Sequence, residues 1–308
     1  MTDKPTNTAS ISSGPSSALA NSVLVFVAGS SYGFIVPVIK SAAEVGIYPA
    51  SFLPLQYLVS LVVMLAVMLV RRVPWGSPRS FLPLAVLGLF TGGTSICYYT
   101  AVTLLPSSAA LTLLFQYIWI SVLVECLHKR KLPTASSVVA IAIILVGTVC
   151  ATGLLDGTSH DLNPVGVAFG LGSAVCYALF LYLSGTLGTD KPAVLRTTML
   201  AAGGLLVTSV VSPQAYVVAL PDPANWPYGI GLAILGILFP TTVINFASPH
   251  LSAGMVSIMA SSELPVGVLA AWAIVGDAPT PLVLFGAFLI LVGILCKQAP
   301  ALMRRKAG

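Results

Sequence analysis

Glu263 is the one carboxylate set deep within an apolar stretch, in the run Ser261-Ser262-Glu263-Leu264-Pro265. It falls about eleven residues into the ninth of the helices drawn below, ~16 Å along the axis, which is near the centre of a bilayer. An ionised acid at that depth costs on the order of 2.5–3.5 kcal/mol, so it must face the bundle interior, take up a proton or find a partner. Two chemistries answer to that description: a protonatable site for a proton or a substrate amine, or a protonated acid hydrogen-bonded to another helix. The helical neighbours Val256, Ala260, Gly267 and Ala271 are mostly small, which lets a second backbone or a cavity come close. Pro265 lacks an N–H and clashes with the carbonyl four residues back, so it frees acceptors beside the acid. Pro37 and Pro240 do the same in the first and eighth helices.

Other polar and aromatic residues lie at similar depth. Thr112, Gln116 and Trp119 share one face of the fourth helix, and an internal repeat described below sets Tyr117 opposite Glu263. Ser30, Ser31 and Tyr32 fall in the first helix, Tyr98 and Tyr99 in the third, Ser173 and Tyr177 in the sixth, and Thr241, Thr242 and Asn245 in the eighth. Singly, each is an ordinary interhelical hydrogen-bonding or packing residue; together they line an amphipathic pocket. The candidates for substrate binding or proton coupling are Glu263, Ser262, Gln116, Tyr117, Trp119, Tyr32, Tyr99, Tyr177 and Asn245. No catalytic residue, cofactor or metal site is assigned. There is no HExxH, GxSxG or P-loop, and His128, His160 and His250 lie in separate loops, whereas intramembrane catalysis needs clustered acids, bases or metal ligands. Glu125, just ahead of His128-Lys129-Arg130-Lys131, reads as a surface ion-pair partner. Gly166 and Gly170 form an unspecific GxxxG packing motif.

These residues need apolar helices to carry them, and the composition supplies little else. Of 308 residues 57% are hydrophobic and 7% charged, with a mean hydropathy of +0.98, against roughly 25% charged in soluble domains. A bilayer core takes about 20 apolar residues per helix, so the chain is an all-α membrane protein of about ten transmembrane helices with no room for a soluble domain. They are expected at Leu19–Ile39, Tyr48–Val70, Phe81–Leu104, Ser108–Leu127, Pro133–Thr152, Pro164–Leu183, Val194–Val211, Tyr228–Ala247, Ser252–Val275 and Pro281–Cys296. Residues 1–18 read as a disordered polar tail and 298–308 as a basic tail. The five cysteines, Cys97, Cys126, Cys150, Cys176 and Cys296, fit small buried packing positions. Trp75, Trp226, Tyr48 and Tyr228 fall near interfaces as belt anchors.

The net charge of +5 is a topology signal and not a nucleic-acid footprint. With ten helices so drawn, thirteen of the fourteen Lys and Arg residues share one side, among them Lys4, Arg71, Arg72, Arg79, Lys129, Arg130, Lys131, Lys191 and Arg196, and Lys40 alone lies opposite. That side is cytoplasmic by the positive-inside rule, with both termini, in a cell inner membrane. The acids Glu44, Asp156, Asp161, Asp222 and Asp277 fall outside.

A shift of 146 positions aligns Val122-Leu123 with Val268-Leu269, Pro133-Thr134 with Pro279-Thr280, Ile144-Leu145-Val146-Gly147 with Ile290-Leu291-Val292-Gly293, and Cys150 with Cys296. The chain therefore divides into two five-helix repeats, 19–152 and 164–297. An odd helix number inverts the second copy, the arrangement that lets one central site open alternately to either side.

The half-ends carry a recognisable pattern: Glu263-Leu264-Pro265-Val266, then Val-Gly-Asp-Ala-Pro-Thr from Val275 to Thr280, then Gly286 and Leu291-Val292-Gly293, with Tyr98 to Ala110 at the third-to-fourth helix passage. The sequence resembles, over roughly residues 20–297, the EamA branch of the drug/metabolite transporter superfamily. The family usually has Glu after the Gly that closes the ninth helix; here Asp277 follows Gly276, and Lys131 stands at the matching place in the first half. A related small multidrug family keeps an essential acid in its first helix, and this chain has none there. The resemblance implies a helical bundle with a central cavity and alternating access, exporting amino acids, other metabolites or drugs. The expected partners are a small-molecule substrate and the lipid bilayer; the number of subunits is left open. The rival readings are an uncoupled facilitator or drug exporter of the same fold, and a membrane enzyme or non-transporting sensor or scaffold.

Overall fold

The computed structural model describes residues 15–47, 49–77, 81–105, 107–151, 163–218, 220–276 and 278–306; Lys4, Tyr48, Arg79, Asp156, His160, Asp161 and Asp277, named above, lie outside them. The first half comprises α1 (Pro15–Tyr32), α2 (Ile35–Glu44), α3 (Pro49–Val70), α4 (Phe81–Leu104), α5 (Ser107–Leu114), α6 (Tyr117–Lys129) and α7 (Ala135–Ala151). The second comprises α8 (Pro164–Ser184), α9 (Ala193–Val211), α10 (Ala215–Val218), α11 (Trp226–Ala233), α12 (Phe239–Ala247), α13 (Ala253–Ala260), α14 (Glu263–Ala270) and α15 (Pro281–Lys306). Among the described residues eight helical stretches are long and apolar enough to cross a membrane, and Ala135–Ala151 and Pro281–Cys296 are apolar but shorter.

Local chemistry sets many boundaries. Asn163 caps α8, its side chain accepting from Val165 N and Gly166 N with Pro164 in the first turn, and Ser252 caps α13 through Met255 N, each satisfying an orphan donor. α1 starts at Pro15, earlier than expected, because proline at a first helical position has no N–H to lose. The tenth expected helix runs past Cys296 to Lys306, since Ala301, Leu302, Met303, Arg304 and Arg305 are good helix formers. Only Cys150 of the five free cysteines is buried; a thiol sits as comfortably against lipid as in a core, so burial was not required.

Three stretches expected as continuous helices are broken. The first breaks at Gly33-Phe34, the fourth at Phe115-Gln116 and the ninth at Ser261-Ser262. Pro265 cannot donate to Ser261 O, which accepts from Leu264 N instead at 3.3 Å. Pro37 likewise has no proton for Gly33 O. No proline explains the middle break. There Gln116 N turns to Leu113 O at 3.2 Å, and the Gln116 side-chain Nε2 donates to Thr112 O at 3.0 Å, replacing the lost backbone donor as a bilayer interior demands. The eighth stretch contains a π-helical turn, Ile234–Leu238, immediately before Pro240, the usual device for relieving a helix distortion.

Helix directions follow from glycine contacts. A Cβ on Gly88 would stand 2.1 Å from Leu200 O and one on Gly92 3.2 Å from Gly204 Cα, so α4 and α9 run parallel. Gly93 meets Cys176 and Gly172 meets Cys97, so α4 and α8 run antiparallel. Gly147 meets Gly286, and Gly293 meets Ala140 and Ile144, which makes α7 and α15 antiparallel. With the His128–Tyr182 ring contact at 5.7 Å, these directions bring the Arg71–Arg72, Lys129–Lys131 and Lys191 segments to one end of the molecule.

Gly88→Ala is expected to lower the thermal unfolding temperature in detergent, by the equivalent of about 1–3 kcal/mol for a forced close contact. Gly172→Ala, whose added carbon would meet Cys97 Sγ at an ordinary 3.6 Å, is expected to leave it unchanged or raise it, since alanine favours helix.

Candidate functional site

The broken first and ninth stretches meet backbone to backbone. A Cβ on Gly29 would lie 2.6 Å from Ala260 O, and one on Gly33 2.6 Å from Gly267 N and 2.7 Å from Glu263 O. Only glycine permits that approach. The hydroxyls across the contact use the proximity: Ser262 Oγ donates to Phe26 O at 2.7 Å, and Ser30 Oγ reaches both Phe26 O at 2.9 Å and Ser262 Oγ at 3.4 Å. Ser31 Oγ donates to Leu235 O at 2.9 Å, tying α1 to the π turn of the eighth stretch.

Glu263 is the first residue of α14, so the break sets the direction of its side chain. It looks into a cavity of about 90 Å³ walled by Tyr32, Gln56, Thr94, Ser95, Tyr98, Tyr99, Tyr177 and Gly236, with Ile35, Leu114 and Ile237. A contiguous chamber of about 70 Å³ adds Tyr57, Thr91 and Thr241. Residues of both halves of the chain thus surround one carboxylate. Tyr57 Oη and Ser95 Oγ are 3.1 Å apart. Tyr177 is the aromatic hub: its ring stands edge-on to Tyr32 (6.0 Å, 89°) and Tyr117 (4.6 Å, 68°) and stacks on Phe180 (6.1 Å, 17°). Its hydroxyl is buried beside that of Tyr32, which sets a pair of phenol groups at the cavity wall. Such a wall of carboxylate, hydroxyls and ring faces offers an amphipathic molecule an ionic contact, hydrogen bonds and cation–π surface together.

The candidates read from the sequence divide between several places. Glu263, Tyr32, Tyr99 and Tyr177 line the cavity. Ser262 braces it from behind through Phe26 O. Tyr117 is fully buried under Tyr177, its hydroxyl donating to Ser257 O at 3.4 Å. Gln116 and Trp119 are not brought to the Glu263 cavity: the Trp119 indole donates to Gln116 Oε1 at 2.8 Å and borders a groove on the outside of the bundle. Asn245 is buried in another cluster, its Nδ2 donating to Thr197 Oγ1 at 3.1 Å and its carbonyl accepting from Arg196.

Arg196, counted with the loop charges from sequence, is 1% exposed. Its guanidinium donates to Asn245 O and to Ser184 O at the C-terminus of α8, where the helix dipole favours a cation. Glu125 pairs with Lys129 at 2.7 Å as expected, and its second oxygen accepts from Gly254 N at 3.1 Å, capping α13 from the other half. Gln56, Thr94 and Ser95 escaped the sequence reading, being commonplace polar residues in apolar helices. Gly29 and Gly33 escaped it too, although they form a GxxxG as plain as the one noted at Gly166. Among the described residues no cluster of three His, Cys, Asp or Glu could hold a metal ion.

Residues 20–153 match the model of the EamA-like transporter family. Together with the apolar spans, the match indicates a multi-pass membrane protein. One solved crystal structure of a protein superposes with a TM-score of 0.72 at 19% identity, covering 91% of this chain and 98% of its own, and so shares the fold. No curated protein matches the chain.

Gly33→Ala is expected to separate α1 from α14 and cost about 1–3 kcal/mol, whereas Ser262→Ala, losing one interhelical hydrogen bond, should cost about 0.6 kcal/mol. Unfolding in detergent measures both, and equal costs would contradict a contact governed by backbone approach.

Proposed function

We propose that this protein is a secondary transporter, an exporter of small amphipathic metabolites such as amino acids, in which Glu263 binds the substrate amine or the coupling proton. Two inverted five-helix halves, 19–152 and 164–297, would expose the cavity alternately to either side of a cell inner membrane, with both termini cytoplasmic. The observation that carries this reading is a lone carboxylate, seated at a helix break, lining a cavity walled by hydroxyls and tyrosines from both halves. Support for the repeat comes from the breaks themselves. Phe115-Gln116 and Ser261-Ser262 stand 146 residues apart, and Tyr117 and Glu263 each open the helix that follows. The α7–α15 contact obeys the same shift, since Gly147 with Gly286 maps onto Gly293 with Ala140. A site shared by two such halves is the ordinary design of alternating access.

The test is amino-acid flux in proteoliposomes with and without an imposed pH gradient. Wild-type flux is expected to follow the gradient and Glu263→Gln to lose that response, by tenfold or more if the carboxylate is worth about 1.4 kcal/mol to the coupled step. Wild-type flux indifferent to the gradient would leave a facilitator, and absence of any solute-dependent flux would remove the transport reading for these solutes.

A further inference from the structure

A groove on the outside of the bundle, between α6 and α7, has a volume of about 610 Å³. Trp119, Leu123, Leu127 and Leu145 form its apolar walls, and Arg130 and Lys131 stand at its mouth. Leu127 is 70% and Leu132 93% exposed, so the groove opens to the surroundings of the bundle. Beside it, sharing Val122, Cys126 and Lys131, lies a second, more polar chamber of about 280 Å³ to which Glu125, Lys129, Thr134 and Ser252 contribute. Arg130 sits in the left-handed conformation (φ 50°) as the C-cap of α6, which turns the chain so that consecutive cations flank the junction of groove and chamber.

An apolar groove within a bilayer is covered by lipid tails in any case, so its walls alone select nothing. The cations at its mouth do select. Neither Arg130 nor Lys131 pairs with a carboxylate among the described residues. Glu125, in the chamber wall, is already engaged by Lys129 and by Gly254 N. The groove therefore offers an apolar wall along α6 and α7 that ends at two cations without carboxylate partners among the described residues, the pairing of surfaces that the acyl chain and phosphate of a phospholipid require. A zwitterionic lipid would bring its ammonium against Lys129, Arg130 and Lys131; an anionic one with a hydroxylated headgroup would not. Basic pockets between transmembrane helices hold anionic headgroups on these grounds. We infer that this groove and its chamber bind one anionic glycerophospholipid, an acyl chain lying between α6 and α7 and the phosphate held by Arg130 and Lys131.

Trp119 provides the probe. The full-length chain is reconstituted in vesicles containing increasing fractions of brominated phosphatidylglycerol or brominated phosphatidylcholine, and the Trp119 signal is taken as wild type minus Trp119→Phe. Phosphatidylglycerol is expected to quench Trp119 at a mole fraction lower by about fivefold for each basic side chain engaged. Arg130→Gln with Lys131→Gln should bring the two curves together, and Lys131→Gln alone, should the double variant not fold, should move the phosphatidylglycerol curve about fivefold. Equal quenching by the two lipids in wild type, or a preference that survives these substitutions, overturns the proposal. Inorganic phosphate should leave the curves in place; abolition of the preference would mean an anion pocket without a lipid. Protection of Trp119 from both lipids, together with a cross-linked dimer, would mean that a second copy covers the groove, and also overturns it.

Discussion

A peptide carbonyl freed inside a bilayer has no water to turn to, so a membrane helix can break only where another group of the protein takes the vacated hydrogen bond. The site depends on that constraint. At Ser261-Ser262 the chain drops out of helical register, Leu264 N takes over Ser261 O, and Ser262 Oγ reaches across to Phe26 O. The reach is possible because Gly29 and Gly33 carry no side chain and let α1 lie against α13 and α14 at backbone distance. With larger residues there the ninth stretch would be held away and its serine would have no acceptor. Glu263 owes its position, and its aim into the cavity, to this arrangement.

The same device appears in a different chemical form 146 residues earlier. At Phe115-Gln116 an amide side chain does the stitching, through Thr112 O, and is itself held by the Trp119 indole. The residue that opens the following helix is there Tyr117, packed under Tyr177, and not a carboxylate. Two similar helix breaks thus lead into one aromatic packing residue and one acidic site. Tyr177 joins them, edge-on both to Tyr117 and to Tyr32 beside Glu263.

The basic end of the molecule is tied by charge where the centre is tied by close packing. Glu125 caps α13 while pairing with Lys129, so a first-half helix is fastened to the second half. Arg196 fastens α8, α9 and α12 through two backbone carbonyls, with Asn245 and Thr197 completing the cluster. Charged side chains at this end, the acid Glu125 and the buried cation Arg196, thus hold helix termini together.

Much of the architecture was legible because bilayer thickness and the loss of charged residues act on composition, residue by residue. Phe81–Leu104 is a helix over the residues expected, and Pro265 and Pro37 announced two of the three breaks. The break at Gln116 was silent, since its cause is a side-chain amide replacing a backbone donor, which no local pattern marks. Gln116 and Trp119 share a helical face with good reason, yet that face turns outward; Arg196 lies beside a loop, yet folds inward. Periodicity tells which residues go together and leaves their partner unnamed. The amino-acid order by itself determined the apolar helices, the sidedness of the charges and the singular acid, because each follows from transfer into lipid. Which side chains converge on Glu263, and which cations stay free or become buried, was decided only when glycines brought distant backbones into contact, an event that depends on where two segments far apart in the chain come to lie.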